Sequence, residues 1–441
     1  MPDLTQRLRV IRQSCELGPL TEGDLNKYWI DTLEARDPLS DVRAVLRARL
    51  DDRDDSKILF YGHGGSGKST ELNKLVRELE GSYLVVNFSV REEMSLTDVN
   101  SEDIILVLAE RLVARAEAQA LPIDAEALRG VYDYFATITE TQTESDARAG
   151  KIEAGAEVKT PSILSGLVHL FAGFKAEVRY EARNENSRVA RIRKRPGDLL
   201  NWANLLINAV RLALPANHRL LFIVEDLDKL DIATARQVFI DHTNILTGLN
   251  ANIIYTIPIF TFHSPDARIL HTQFQQPVSL PMIKVTSPDG TRAAGFEITR
   301  EIITRRLGPQ ALSDAAMDLL IEKTGGVLQH AFEVIIAATL MRNATVPLQA
   351  DHIRYSLNRK KADLRTEITL PYEPVPGLER REQLYERLRQ CRDRQRAGKP
   401  ESPSGQVIDQ VLLKSCALVE YNGERWLGVH PLVAEILDEI A

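Results

Sequence analysis

Cysteine is scarce in this chain of 441 residues: Cys15, Cys391 and Cys416 stand far apart, with no CxxC pair among them. That excludes a disulfide framework and a cysteine-built zinc centre. Long apolar runs are missing too. The longest suspect, Ile163 to Phe174, is interrupted by Ser165, Gly166, His169 and Gly173. It falls short of the roughly 18 apolar residues that span a bilayer. Met1 to Val10 is charged and has no apolar centre, so no secretion signal is expected. There is no basic excess: the net charge is -7, which provides no global field for coating nucleic acid or a membrane surface. These absences predict a soluble, cytoplasmic protein. The 44% hydrophobic and 27% charged content suits a globular chain of roughly two to four domains.

What is present is an α/β pattern. Residues 1–55 predict helices, with Val42, Leu46 and Leu50 at helical spacing. Lys57 to Tyr61 is a short apolar run that stops at Gly62 and predicts a buried strand. A glycine-rich loop follows, then a helix from Ser69 to about Glu80 that Gly81 ends as a C′ glycine. Tyr83 to Phe88 predicts a second strand. Strand, loop, helix, strand is a βαβ unit and implies a parallel sheet.

The region from about 91 to 198 predicts a large insertion. It has helices at Ile104–Ala118 and Ala125–Ala136, loop over 139–162, and an alternating strand at Phe174–Tyr180. A basic run, Arg188, Arg191, Arg193, Lys194 and Arg195, closes it. The α/β pattern then resumes with a helix at Leu199–Leu214 and strands at Leu220–Val224, Ile253–Ile257 and Val278–Val285. Residues 1–296 are thus expected to form one α/β domain. Residues 297–370 predict a helical lid with helices at Ile298–Leu307, Asp314–Thr324 and Leu328–Met341 around Gly325-Gly326. Residues 371–441 predict an arginine-rich linker helix and a helix–hairpin–helix unit, turning at Asn422-Gly423, that suggests a winged helix.

The chemistry sits in the loop Gly62-His63-Gly64-Gly65-Ser66-Gly67-Lys68-Ser69, which has the pattern GxxxxGK[ST] between a strand and a helix. Glycines let backbone N–H groups turn inward around phosphates, and a helix N-terminus adds its positive end. Lys68 supplies a cation to the β- and γ-phosphates and the Ser69 hydroxyl reaches Mg²⁺. Thr70 completes the expected nucleotide-binding set. An apolar strand ending in carboxylates supplies the second half. Glu225 is expected in the Mg²⁺ shell and Asp226 as the group that orients or activates water. Asp228 is expected as a helix N-cap or a third metal-shell group. Thr256, at the end of the next strand, is either a polar group beside the γ-phosphate or a buried threonine bonded to backbone. Arg268 is either an arginine finger toward a neighbouring subunit or a solvated surface residue.

These motifs resemble the AAA+/STAND side of the P-loop ATPases, including bacterial STAND-like and origin-recognition-type ATPases. Tyr61 to Leu72, Glu225 to Lys229, Tyr255-Thr256-Ile257-Pro258 and the lid glycines carry the resemblance. It implies an α/β P-loop NTPase sheet with helices on both faces, a helical lid and a C-terminal winged helix. It implies ATP/ADP and Mg²⁺ as cofactors. It also implies a slow ATPase switch, coupling nucleotide state to homo-oligomerisation or to an effector protein partner. STAND proteins place the histidine of a Met-His-Asp element near the β-phosphate of ADP. The matching stretch here is Val429-His430-Pro431, which makes His430 a nucleotide-contacting candidate. Arg36 and Pro38 lie where similar ATPases fold over the adenine. Related proteins carry an arginine just after the lid glycines; this chain has Val327-Leu328-Gln329-His330 instead, which argues for a switch over a motor.

Two other functions stay open: a DNA-binding ATPase of the initiator or transposition-regulator type, and a non-hydrolysing nucleotide-binding scaffold. Nucleic acid is the less favoured partner. Among the arginines from Arg380 to Arg396, the acids Glu382, Glu386 and Asp393 are interleaved at helical spacing, which reads as a salt-bridged surface. The stripe Ile163, Leu164, Leu167, Val168, Leu170, Phe171 predicts internal packing or self-association.

Overall fold

The computed structural model describes residues 3–16, 18–147, 163–180, 188–275, 277–287, 289–371, 375, 377–421 and 425–440. Five strands form a parallel sheet: β1 (Lys57–Gly62), β2 (Tyr83–Ser89), β3 (Arg219–Glu225), β4 (Asn252–Pro258) and β5 (Val278–Ser279). Their spatial order is β2-β3-β4-β1-β5. One strand, β4, therefore lies between β1 and β3. Phe60 pairs with Thr256 across β1 and β4, and Val224 pairs with Tyr255 across β3 and β4. All the C-terminal strand ends open on one edge, where open α/β sheets bind ligands.

The period of two sorts the strands onto two faces. Ile58, Phe60, Leu221, Ile223 and Ile254 pack with Val42, Leu46, Leu50, Leu72 and Leu75 on one side. Leu59, Tyr61, Phe222, Val224, Ile253 and Tyr255 face the larger cluster on the other. Each of these side chains is almost fully buried, and such burial contributes about 1.5–3 kcal/mol per large apolar residue. The sheet is thus a rigid floor.

Every described regular element of the insertion between β2 and β3 is a helix. The helices are Ser101–Ala118, Ala125–Ala147, Ile163–Tyr180, Arg188–Arg193 and Pro196–Ala213. Two expectations change here. Phe174–Tyr180 belongs to a helix and is not a strand. Leu167, Phe171, Phe174 and Val178 are buried at spacings of four, three and four, and this longer stripe overrides the local alternation. Residues 139–147 continue a helix, while 148–162 lie outside the described residues. The insertion closes on Phe135, which meets Phe171 at 4.8 Å, and on Tyr134, which stacks on Trp202 at 5.1 Å.

The final strand is shorter than expected. Only Val278 and Ser279 pair with β1. Pro281 has no N–H to continue the ladder. Met282 instead bridges to Tyr421 near the C-terminus.

Beyond the sheet come the helices Gly295–Leu307, Asp314–Thr324, Leu328–Thr339 and Ala350–Glu367; the last had not been expected. Then follow the helices Arg381–Arg396 and Val407–Lys414, the hairpin of β6 (Leu418–Tyr421) and β7 (Trp426–Val429), and the helix Pro431–Glu439. The hairpin register pairs Leu418 with Val429 and Tyr421 with Trp426. Its expected turn at Asn422-Gly423 lies outside the described residues. No helix among the described residues is long and apolar enough to cross a membrane.

Candidate nucleotide site

The loop after β1 has the backbone that its glycines require. Gly65 and Gly67 take φ of +73° and +98°, values that only glycine adopts freely. Gly67 is also the N-cap of the helix Lys68–Glu78 and no side chain caps it. The first-turn N–H groups therefore face the loop's interior. Ser66 is buried, and its Oγ has no hydrogen-bond partner in the described structure. An orphaned hydroxyl beside uncapped amides is what an absent oxyanion ligand would satisfy. The residues present fit a phosphate group.

Lys68 is curled back into this loop. Its Nζ donates to the carbonyls of Gly62 at 3.0 Å and His63 at 2.9 Å. It also pairs with Asp228 at 2.8 Å, and both side chains are more than nine-tenths buried. A place beside the loop was among the expectations for Asp228, as a third metal-shell group; a direct ion pair with Lys68 was not. No cap role is seen for Asp228, because the short 3₁₀ turn Leu227–Lys229 starts at Asp226 with no side-chain cap.

Glu225 and Asp226 separate. Glu225 hydrogen-bonds with Ser69, the pair expected to share a metal. Burial raises its pKa to about 7, with the neighbouring charges of Asp226 and Asp228 adding to the rise. Asp226 has a left-handed backbone, φ +66°. Its carboxylate accepts from Ser89 Oγ at 2.5 Å and pairs with Lys229 at 2.6 Å. Burial alone would raise its pKa, but the bonds from Lys229 and Ser89 outweigh that and hold it below its ordinary value. Thr256 donates to Val224 O at 3.3 Å, so its hydroxyl has a backbone partner.

Arg36 lies beneath the loop. It donates from Nη2 to Ser66 O at 2.6 Å, from Nε to Thr32 Oγ1 at 2.8 Å, and from Nη1 to Pro281 O. Burial lowers its pKa to about 10, opposed by the nearby Glu71. Its three bonds mark it as a brace for the loop and for the turn after β5. Arg268 is exposed on the helix Ala267–Gln273.

His63 turns away from the loop's interior. Its Nε2 accepts the backbone N–H of Glu420 in β6 at 2.8 Å. Burial depresses its pKa to about 3, with Lys68 and His263 adding to the effect. The ring is neutral. The Glu420 carboxylate in turn contacts His263 Nε2, and Glu420 O accepts from Met282 N at 3.3 Å. The Tyr421 hydroxyl donates to Gly325 O at 2.9 Å. One short strand, β6, thus touches the loop, the sheet's end and the turn after the helix Asp314–Thr324.

His430 does not point into the loop. Its Nδ1 accepts from Leu432 N at 3.2 Å, capping the last helix. The neutral ring must then carry its proton on Nε2, which donates to His330 Nδ1 at 3.1 Å. Burial pushes His430 well below its ordinary pKa, with His330 and Lys360 contributing. Burial pushes His330 to about 3, with Lys360 and His63 contributing.

No protein-family model matches the sequence, and no curated protein matches it. Among solved structures, a Walker-type ATPase of Pyrococcus abyssi is similar at 13% identity and a TM-score of 0.39, covering 96% of this chain and 99% of its own. The ORC2 protein of Aeropyrum pernix, solved as ADPNP and ADP complexes, matches at 12% identity and 0.40, covering 90% and 92%. Cdc6p from Pyrobaculum aerophilum matches at 10% and 0.33, covering 90% and 93%. The sheet order and the loop geometry above define the fold independently of these likenesses.

Proposed function

We propose that this chain is an ATP-binding molecular switch that hydrolyses slowly and couples nucleotide state to the placement of its lid and C-terminal unit. One observation carries the reading: the residues that would cradle phosphates are themselves the contact points for the rest of the molecule. His63 holds β6 of the C-terminal hairpin. Gly65 lies against Gln329 of the lid, so closely that a Cβ there would sit 2.5 Å from Gln329 Cβ. A ligand that reshapes this loop must shift both contacts, and only such differential contact lets a ligand move an equilibrium.

Mg²⁺ would be held by Ser69 and Glu225, and would supply charge neutralisation for the phosphates. Lys68 would leave Asp228 for the β- and γ-phosphates. Asp226, at the end of β3, is the candidate to orient water. The experiment is direct: measure binding of ATP and ADP, and turnover, for the wild type and for Asp226→Asn. The reading expects retained binding and lost turnover in the variant. Equal, measurable turnover would remove Asp226 from this role, and a wild type that binds ATP without turnover would leave a binding scaffold.

A DNA-binding ATPase is the second reading. It draws on the helix Arg381–Arg396, where Arg394 and Arg396 stay more than half exposed while paired with Glu401 and Asp438. The basic run of the insertion supports it less. Arg188 pairs with Glu177, and Arg193 with the buried Asp103. DNA binding that weakens steeply with salt would favour this second reading.

A further inference from the structure

The lid presses on the phosphate loop through a helix with no cation of its own. The helix Leu328–Thr339 contains neither lysine nor arginine. Its first turn carries Gln329, which covers Gly65. A triphosphate entering below that turn is strongly anionic. Lys68 alone balances little of it and is already paired with Asp228. The next lid helix, Ala350–Glu367, supplies a cation at this place. Lys360 pairs with Glu333 at 2.8 Å and its side chain is only 11% exposed. Glu333 also accepts from Gln329 Nε2 at 2.9 Å. A continuous chain therefore runs from Lys360 through Glu333 and Gln329 to Gly65. The charge of Lys360 is felt by the groups around the loop's lid side: it opposes protonation of His330 and His430, and together with Lys68 it acts on Cys416.

We propose that Lys360 is the lid's phosphate-reading cation, held by Glu333 at rest and released to the terminal phosphate of bound ATP. This rests on the nucleotide reading of the loop and names the residue that tells ATP from ADP. Glu333 is a positioning residue. Gln329 links its state to the loop.

A structural ion pair and a phosphate reader make opposite predictions. If the pair only stabilises the lid, Lys360→Met and Glu333→Gln lose the same contact and act alike. If Lys360 reads phosphate, Lys360→Met loses ATP affinity, while Glu333→Gln frees the cation and keeps or raises it. The experiment titrates the full chain with a non-hydrolysable ATP analogue and with ADP, both with Mg²⁺. Lys360→Met is expected to weaken the analogue about tenfold, the scale of one charge-assisted bond. Its ADP affinity should change by less than about twofold, because ADP lacks the phosphate that is read. Lys360→Arg should keep the preference. An unchanged ratio of the two affinities in Lys360→Met overturns the proposal, as does a Glu333→Gln variant that weakens the analogue like Lys360→Met. If Lys360→Met does not fold, the Glu333→Gln and Lys360→Arg titrations still decide. A wild type that binds neither nucleotide removes the loop's nucleotide reading itself, a separate failure.

Discussion

Lys68 has three partners in this structure, and two of them are backbone carbonyls of its own loop. Lys68→Ala should therefore lose nucleotide affinity by at least about tenfold. Isothermal titration checks this, and unchanged affinity would count against the loop as the site. Asp228→Asn should act in the opposite direction, because a neutral amide competes less for Lys68. Arg36→Ala should cost about 3 kcal/mol in urea unfolding, because it strands the buried carbonyls of Ser66 and Pro281 and leaves Glu71 with Arg43 as its one remaining guanidinium partner. Arg36→Lys should recover only part, since one ammonium cannot reproduce the guanidinium's fixed, forked set of donors. At this scale the strand, glycine-rich loop and helix were legible in sequence, because they are written in consecutive residues. The pairings Lys68–Asp228 and Arg36–Ser66 were not. They join residues 160 and 30 apart, and nothing in local spacing reports where a chain returns.

Elements carry their own lesson. Strands β1, β3 and β4 were visible as short apolar runs, because both faces of the sheet are covered. Seven residues of alternation point to a strand where the chain forms the end of the helix Ile163–Tyr180. Its burial stripe only shows when read from Ile163. The short β5 follows from Pro281, a residue visible in sequence whose effect depends on which neighbour it would have to pair with. Buried histidines join three elements: His63 in the loop, His330 in the lid and His430 before the last helix. Their folded pKa values lie below the ordinary 6.5. Below pH 6.5 the unfolded chain takes up protons that the folded chain refuses, so these groups favour unfolding as pH falls, by about 1.4 kcal/mol per pH unit for each. Glu225 and Asp103 work against this, since their folded pKa values of about 7 and about 6 are raised and give stability at lower pH. Burial raises the Glu71 carboxyl as well, but the three histidines all act from pH 6.5 downward, whereas Asp103 gains its full effect only below about 6, so the histidines set the sign. Stability should fall between pH 6.5 and 5, measured by urea midpoints at each pH. His330→Asn should flatten that slope, and an equally steep slope in the variant would remove His330 from the account.

The whole molecule has two clamps of different kinds. The helices Asp314–Thr324 and Ala350–Glu367 are joined to the last helix by ion pairs: Lys323 with Glu435 at 2.5 Å, and Lys361 with Glu435 and Glu439 at 3.2 and 2.7 Å. These are partly exposed and weaken with salt. The contacts to the loop differ: the one through His63 is buried and the one through Gln329 is made by an uncharged side chain, so both are much less sensitive to it. Nucleotide should therefore move the lid and C-terminal unit together. Solution scattering and mass measurements with ADP, with a non-hydrolysable ATP analogue and without nucleotide test this. A radius and mass identical in all three states would speak against a switch.

The bond between Glu420 N and His63 Nε2 has a mechanical consequence. His63 is one residue of the loop whose carbonyl also holds Lys68. Tension applied to the chain's C-terminal end is thus delivered, through β6, to the backbone of the glycine-rich loop itself. In a pulling experiment, the last helix should detach first from its ion pairs, and release of the hairpin from His63 should follow as a later yield point. The force at that point should depend on whether the loop is loaded, so bound nucleotide would be readable as a change in rupture force.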